Sequence, residues 1–521
     1  MRKQGRDRWR ELLADLSQRR VHLTWASLLA VVTATCMMVL AVTGILLVTV
    51  YQPSSALVTY DGVYGPLAGA RVSEAFDSVM TISLETAGGL LVRQAHHWAA
   101  LVMPASLIMQ LLATFFSGGF RRPRQAGWLL LVALFVLVLL AGWSGYALPD
   151  DMLSGTGLRI VQGVTLAIPV VGSWASMWLF GGEFPGKIIE HLYAIHLLVP
   201  VSITAVLVAA AVFWWRTGPT VPVRAAATGS TGIRLWPDAA LKALGMSAMT
   251  TAVLVLLGAL ATITPVWAYG PSDPGNVGAG SQPDWYMGFL DGALRLVPSG
   301  WETEWLGATW TFAVLVPLLV VGAWFVALTV YPFLESWVMG DAVDHHVLER
   351  PRNAPVRTGV GVAGALVYGV LWGAASADIV ATRFHVSFES VITVLQVTLV
   401  VGPPVAFGLT RRIALGLQRK DREIAIHGHE TGRIVRTLEG GYVEIHAPVD
   451  PAEGRLLTTV PVGAVHTRTD QEGRLSAGRR LRGLLGSRFA EGYVRPVDGP
   501  LVTATSARRV AWPGGSRQSR R

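Results

Sequence analysis

The 521-residue chain has a single cysteine, Cys36, and little charge, with Asp, Glu, Lys and Arg making up only 15% of it. One thiol excludes an intrachain disulfide, a cysteine-ligated iron–sulfur cluster and covalent CxxCH attachment of haem. No internal repeat is present, and the paired glycines lack the strand-turn-helix setting of a dinucleotide-binding loop. The shortage of charge leaves several apolar runs of about 18 residues or more, long enough to cross a membrane. With 52% hydrophobic residues and a positive mean hydropathy, the chain reads as a polytopic membrane protein. Its formal charge of +9 is then no sign of nucleic-acid binding, because the arginines sit in tails and loops beside the apolar runs.

Eight spans are expected, near residues 26–50, 92–116, 127–147, 192–215, 242–264, 308–331, 359–376 and 389–410. The basic segments FRRPRQ, WWRTGPTVPVR and DHHVLERPRNAPVR occupy every second loop, on the side of the N-terminus and of the Arg-rich tail. Basic loops stay inside, so an even number of spans with both termini cytoplasmic fits the charge pattern. Residues 1–25 begin MRKQGRDRWR and show no small-residue cleavage site, which reads as a retained cytoplasmic surface helix and not a signal peptide.

The less basic loops 51–90, 148–190 and 265–307 face the other side. Loops this long point to function. Short helices are expected near Glu74, lying flat within 148–190, and after Pro283. The tail 412–521 is soluble in composition. It holds an alternating, β-rich stretch, GRIVRTLEGGYVEIHAPV, and an Arg-, Gly- and Ser-rich end expected to be partly disordered beyond Gly473.

The chemistry concentrates in two spans. Span two contains RQAHHWAALVMPASLIMQ, Arg93 to Gln110, with His96 and His97 just after the arginine. Span four begins HLYAIHLL, with His191 and His196. An unpartnered imidazole is costly in lipid, so intramembrane histidines mark a functional site by default. On neighbouring spans they can clamp one haem iron as axial ligands in a bundle core, or simply hydrogen-bond between helices. His97 faces about 100° away from His96 on a helix, and is expected to reach another helix or a carbonyl. His345, His346, His427 and His429 fall in a cytoplasmic loop and the tail, without partners at metal-ligand spacing.

Long contiguous motifs set these residues in context. VTGILL around Gly44, GGLLVRQAHHWAALV, FRRPRQAGW, GYALPDDMLSGTGL, FGGEFPG, AGSQPDWYMGF, YPFLESWVMGD and HHVLERPRNAPVRT together resemble the cytochrome b subunit of respiratory bc complexes. These are the quinol–cytochrome c reductases, and the likeness is greatest to the actinobacterial menaquinol type. It covers most of the chain, reaching LGLQRKDREIAIHGHETG in the tail.

The resemblance implies an all-α polytopic fold of eight transmembrane helices. Residues 26–220 would form a four-helix haem-binding bundle, 221–411 a second membrane part with the quinol-site loop, and 412–521 a small cytoplasmic tail domain. It further implies a quinol substrate, menaquinol or ubiquinol, and a place among the lipids of the cell membrane. The implied partners are a Rieske-type iron–sulfur protein and a cytochrome c subunit, in a homodimeric complex.

In that family two b haems stack across the bundle, and spans two and four each give two histidines 14 or 15 residues apart. Fourteen residues are nearly four helical turns, about 21 Å, and return to almost the same face. Glycines at that spacing on spans one and three let the flat ring lie on bare backbone. The outer set is present: His96 and His196 as ligands, Gly44 and Gly145 as ring contacts, and Arg93 for a propionate. The inner set is not. Gln110 stands 14 residues after His96, Ala210 stands 14 after His196 between Ala209 and Ala211, and the glycine positions hold Ala30 and Leu131. One haem b is therefore expected, on the outer side, with the cytoplasmic-side site degenerate. His191, where relatives often carry arginine, would donate to the outer propionate or lie at the water interface.

The loop after span five reads Pro283-Asp284-Trp285-Tyr286, a variant of the family's Pro-Glu-Trp-Tyr quinol-site motif. A carboxylate on a short, half-buried helix can accept a quinol proton. Asp also suits an N-cap, so Asp284 is either that acceptor or a cap. Tyr286 is the candidate second contact to quinone. Two functions follow: an oxidoreductase subunit that turns over quinol, or a one-haem paralogue serving assembly, sensing or short-circuit electron transfer.

Overall fold

The computed structural model describes residues 14–182, 184, 186–273, 275–276, 282–457, 478, 481 and 483–486. Residues 1–13 of the expected N-terminal surface helix and most of the tail beyond Gly473 lie outside the described residues, while residues 14–18 are helical. Eight described helices are long and apolar enough to cross a membrane. They are α1 (Trp25–Val48), α2 (Gly89–Phe116), α3 (Gln125–Tyr146), α4 (Ile188–Thr217), α5 (Ala240–Leu260), α6 (Phe312–Met339), α7 (Pro355–Ala375) and α8 (Phe388–His427). Among the described residues the strands form only two-stranded pairs. The class is all-α and polytopic, as expected.

Lipid offers no water to an open backbone, so each apolar run closes its hydrogen bonds as a helix. At the start of α1 the Thr24 hydroxyl accepts from the Ser27 N–H, and the Ser27 hydroxyl accepts from the Thr24 N–H. α1 lies along α2, and α3 along α4. Cys36, Met103, Leu107, Val132, Phe135 and Ile203 belong to the core shared by these four helices. α7 pairs with α8 and also packs on the short helix Gly288–Arg295. There Gly292 meets the Leu371 carbonyl so closely that any side chain would collide.

Three helix ends differ from expectation, each for a local reason. α5 stops at Leu260 instead of 264, because residues 261–264 give their backbone groups to side chains of α2. α6 continues past 331 to Met339, which brings Glu335 against Arg357 of α7, with Nε 3.0 and 3.1 Å from the two carboxylate oxygens. α8 continues past 410 to His427 as an amphipathic helix that buries Ala414, Asp421 and Ala425. Asp421 is held there by Arg350 at 2.9 Å and Arg352 at 3.0 Å.

The long loops fold much as their sequences suggest. Helices occupy Glu74–Leu84, Met152–Leu166 and Gly172–Phe180. The β-rich stretch of the tail is a hairpin, His429–Arg436 paired with Tyr442–Ala447.

Candidate functional site

A cavity of about 420 Å³ opens among α1, α2, α3 and α4, at the end nearest the three long loops. Gly44, Arg93, His96, Gly145 and His196 all line it. The His96 and His196 rings stand 6.2 Å apart centre to centre, inclined by 64°. A ring nitrogen binds a first-row metal at about 2 Å, so two imidazoles sharing one metal stand about 6 Å apart.

The walls decide which nitrogens are free. The Thr43 hydroxyl donates to the Val39 carbonyl at 2.7 Å, so its oxygen accepts from His96 Nδ1 at 2.9 Å. His196 Nδ1 lies 3.0 Å from the Ala141 carbonyl, which can only accept, with the Ser144 hydroxyl at 3.3 Å. Both Nδ1 atoms thus carry the proton, and both Nε2 atoms are left as bare lone pairs, the form that ligates a metal.

The glycines and the arginine agree with this arrangement. A Cβ on Gly145 would stand 2.6 Å from His196 Cε1, and one on Gly44 3.4 Å from His96 Cε1. Arg93 Nη2 donates to the Thr264 carbonyl at 3.1 Å, while its Nη1 is buried with no partner among the described residues. A buried, unsatisfied guanidinium N–H calls for an anionic acceptor. These residues fit a haem held by two histidines with a propionate on Arg93. His191 likewise has a buried Nδ1 without a partner among the described residues, and its ring lies against Gly181.

The same cavity is lined by His97, Asp284 and Tyr286. Asp284 stands at the start of the 3₁₀ turn Trp285–Met287, yet its side chain makes no capping hydrogen bond. The capping alternative therefore fails. The carboxylate instead faces His97 Nε2, at 3.1 and 3.2 Å, and accepts from the Tyr286 hydroxyl at 3.1 Å. Tyr286 is fully buried. Burial, and then the Asp284 carboxylate, push its phenol well above the ordinary value, so the hydroxyl keeps its proton and donates. Gly142 of α3 leaves the slot for this ring, and a Cβ there would collide with the Tyr286 hydroxyl. The Trp285 carbonyl accepts from Trp372 Nε1 at 2.9 Å, which ties the segment after Pro283 to α7.

The family profile described as cytochrome b (N-terminal)/b6/petB matches residues 101–271. The cytochrome bc1 complex cytochrome b subunit of Streptomyces coelicolor is 41% identical over 491 residues, covering 92% of this chain and 89% of that protein. The corresponding subunit of Mycobacterium tuberculosis is 40% identical over 437 residues, covering 82% and 79%. This chain belongs to the family of cytochrome b subunits of the bc1 complex. In a solved structure titled hyperthermophilic respiratory complex III, one chain superposes with a TM-score of 0.56 at 17% identity, over 77% of this chain and 97% of that one. That likeness is one of fold.

The four positions expected at a second, inner site all carry side chains within the bundle. Ala30, Gln110, Leu131 and Ala210 are all half-buried, and Leu131 packs against the bundle core. One turn away from Leu131 the Phe213 ring covers Gly127, where a Cβ would meet it at 2.9 Å. The Thr33 and Ser106 hydroxyls bond across α1 and α2 at 2.7 Å.

Sequence reasoning missed Thr43, Ser144 and Thr264. A signal existed for the first two: each ring-facing glycine directly follows a hydroxyl residue, Thr43-Gly44 and Ser144-Gly145, and that hydroxyl reaches the histidine beside the glycine. No metal-ligand cluster of three or more His, Cys, Asp or Glu occurs among the described residues. His345 pairs with Asp341 at 2.6 Å and His429 with Glu453 at 3.0 Å.

Proposed function

We propose that this cytochrome b subunit oxidises quinol, menaquinol or ubiquinol, at the outer end of its bundle. One electron would pass to a single haem b and the other to a Rieske-type iron–sulfur partner. The observation that carries this reading is the shared cavity: the histidine pair, Asp284 and Tyr286 line one space. Oxidation releases two protons and two electrons from each quinol, so a proton acceptor must stand beside an electron acceptor. Asp284 takes a hydroxyl proton, and Tyr286 keeps the carboxylate in place from one side. His96 and His196 hold the haem, Gly44 and Gly145 give its ring room, and Arg93 binds a propionate. When bound, that haem supplies a one-electron acceptor beside the quinol.

The inner site, with Ala30, Gln110, Leu131 and Ala210 in place of two glycines and two histidines, holds no second haem in this reading. The subunit would work in a homodimeric complex of the cell membrane with a cytochrome c subunit, both its termini cytoplasmic. The test is quinol turnover per haem by the purified complex carrying Asp284→Asn. A fall of about 10²–10⁴ with the b-type optical band intact is expected. Unchanged turnover would remove Asp284 from the reaction.

A further inference from the structure

α2 grips the segment that leaves α5. Gln94 forms a two-way pair with Ile263, donating to its carbonyl and accepting from its N–H, both at 3.0 Å. Trp98 Nε1 donates to the Ala261 carbonyl at 2.8 Å, and Arg93 Nη2 to that of Thr264 at 3.1 Å. So held, Thr264 sits at φ +41°, in the left-handed region that is unfavourable for a β-branched residue. Such backbone persists only where its surroundings over-determine it. Its hydroxyl oxygen stands 3.0 Å from His97 Nδ1, and His97 Nε2 faces the Asp284 carboxylate.

We propose that Thr264 and His97 form a positioning relay that sets the orientation of the Asp284 carboxylate, an assignment that rests on the quinol-oxidation reading. An ionised carboxylate only accepts, so the His97 Nε2 facing it carries a proton. His97 Nδ1 and the Thr264 hydroxyl stand 3.0 Å apart, so the threonine holds the ring by its other edge. The strained threonine thus fixes the ring, and the ring presents Nε2 to the carboxylate. Tyr286 donates to Oδ2 of the same carboxylate at 3.1 Å. A terminal carboxylate torsion is otherwise broad and nearly two-fold. Two donors from different elements, α2 and the turn after Asp284, remove that freedom. The adjacent histidines divide the work: His96 faces His196, and His97, about 100° round the helix, faces the carboxylate.

The relay is tested in the assembled complex with His97→Leu, which removes the donor, His97→Gln, which keeps an amide donor, and Thr264→Val, which removes only the hydroxyl. Two readouts are taken: kcat and KM per haem, and the infrared carboxylate band assigned to Asp284 by its loss in Asp284→Asn. His97→Leu is expected to lower kcat about tenfold or more, in line with the penalty for a misplaced catalytic group, with little change in KM or in the haem spectrum. The Asp284 band should shift in the same variant. His97→Gln should recover most of both, and Thr264→Val should fall between. A kcat per haem equal to the parent's in His97→Leu, or an unmoved Asp284 band, overturns the relay. If the parent itself turns over no quinol, the quinol reading fails, and the infrared band alone decides the relay.

Discussion

His96 and His196 face each other across 6.2 Å, each with its Nδ1 turned onto an oxygen of its own wall. Thr43 and Ala141 thereby leave both Nε2 atoms in the form that could ligate a metal. Replacing either histidine by Ala should abolish the b-type optical band of the purified protein. A low-spin haem spectrum surviving in both variants would exclude the pair as ligands.

The two ring-facing glycines are not equivalent. A Cβ at Gly145 would come to 2.6 Å of the His196 ring, whereas one at Gly44 would stay 3.4 Å from His96. Gly145→Ala should therefore lower haem content or shift the b band, while Gly44→Ala stays near the parent in both. Haem extracted per polypeptide and the reduced-minus-oxidised spectrum measure this. The reverse order of severity would mean that the His196 ring is free to move and the His96 ring is not.

On the one-haem reading proposed above, the inner half is occluded as well as stripped of ligands. Gln110→His with Ala210→His should leave haem per polypeptide at one. Leu131 and Ala30 still stand where a porphyrin would lie flat, and overpacking a close-packed interior costs typically about 1–3 kcal/mol or more. Adding Leu131→Gly and Ala30→Gly should improve the chance of a second haem, against a helix penalty of about 1 kcal/mol per glycine in water. Two haems in the unmodified protein would end the one-haem reading.

Opposite the cavity, Arg357 joins Glu335 and Glu349, and Arg121 also binds Glu349, at 2.7 Å. Removing one member of a buried charge network strands the rest, at about 3–5 kcal/mol. Arg357→Met should lower the thermal midpoint of the solubilised protein strongly without altering the haem band. Burial raises the Glu349 pKa, but Arg357 and Arg121 outweigh it and hold the group below its usual 4.5. A depressed carboxylate stabilises the fold above its unfolded pKa. The advantage of the parent over Glu349→Gln should be full at neutral pH and disappear as pH falls from about 4.5 through the lower folded value. An advantage that persisted in acid would show that the pairing is not what holds Glu349.

Hydropathy alone determined that this is an eight-helix membrane protein, because a chain in lipid satisfies its backbone only by coiling on itself. The family resemblance, joined to the rigid period of a helix, implied that His96 with Gly44 and Gln110 with Ala30 stand on two levels about four turns apart. The Asp284 motif was legible as a candidate site, but the partners of its carboxylate were not. One of those partners is His97, 187 residues away in sequence. Likewise the end of α5 at Leu260 looks like apolar helix until Arg93, Gln94 and Trp98 take its backbone partners. Periodicity states which face of a helix a residue occupies. Which other element meets that face is settled only by how the helices pack, and so the partners of Asp284 and of His97 belong to the tertiary structure.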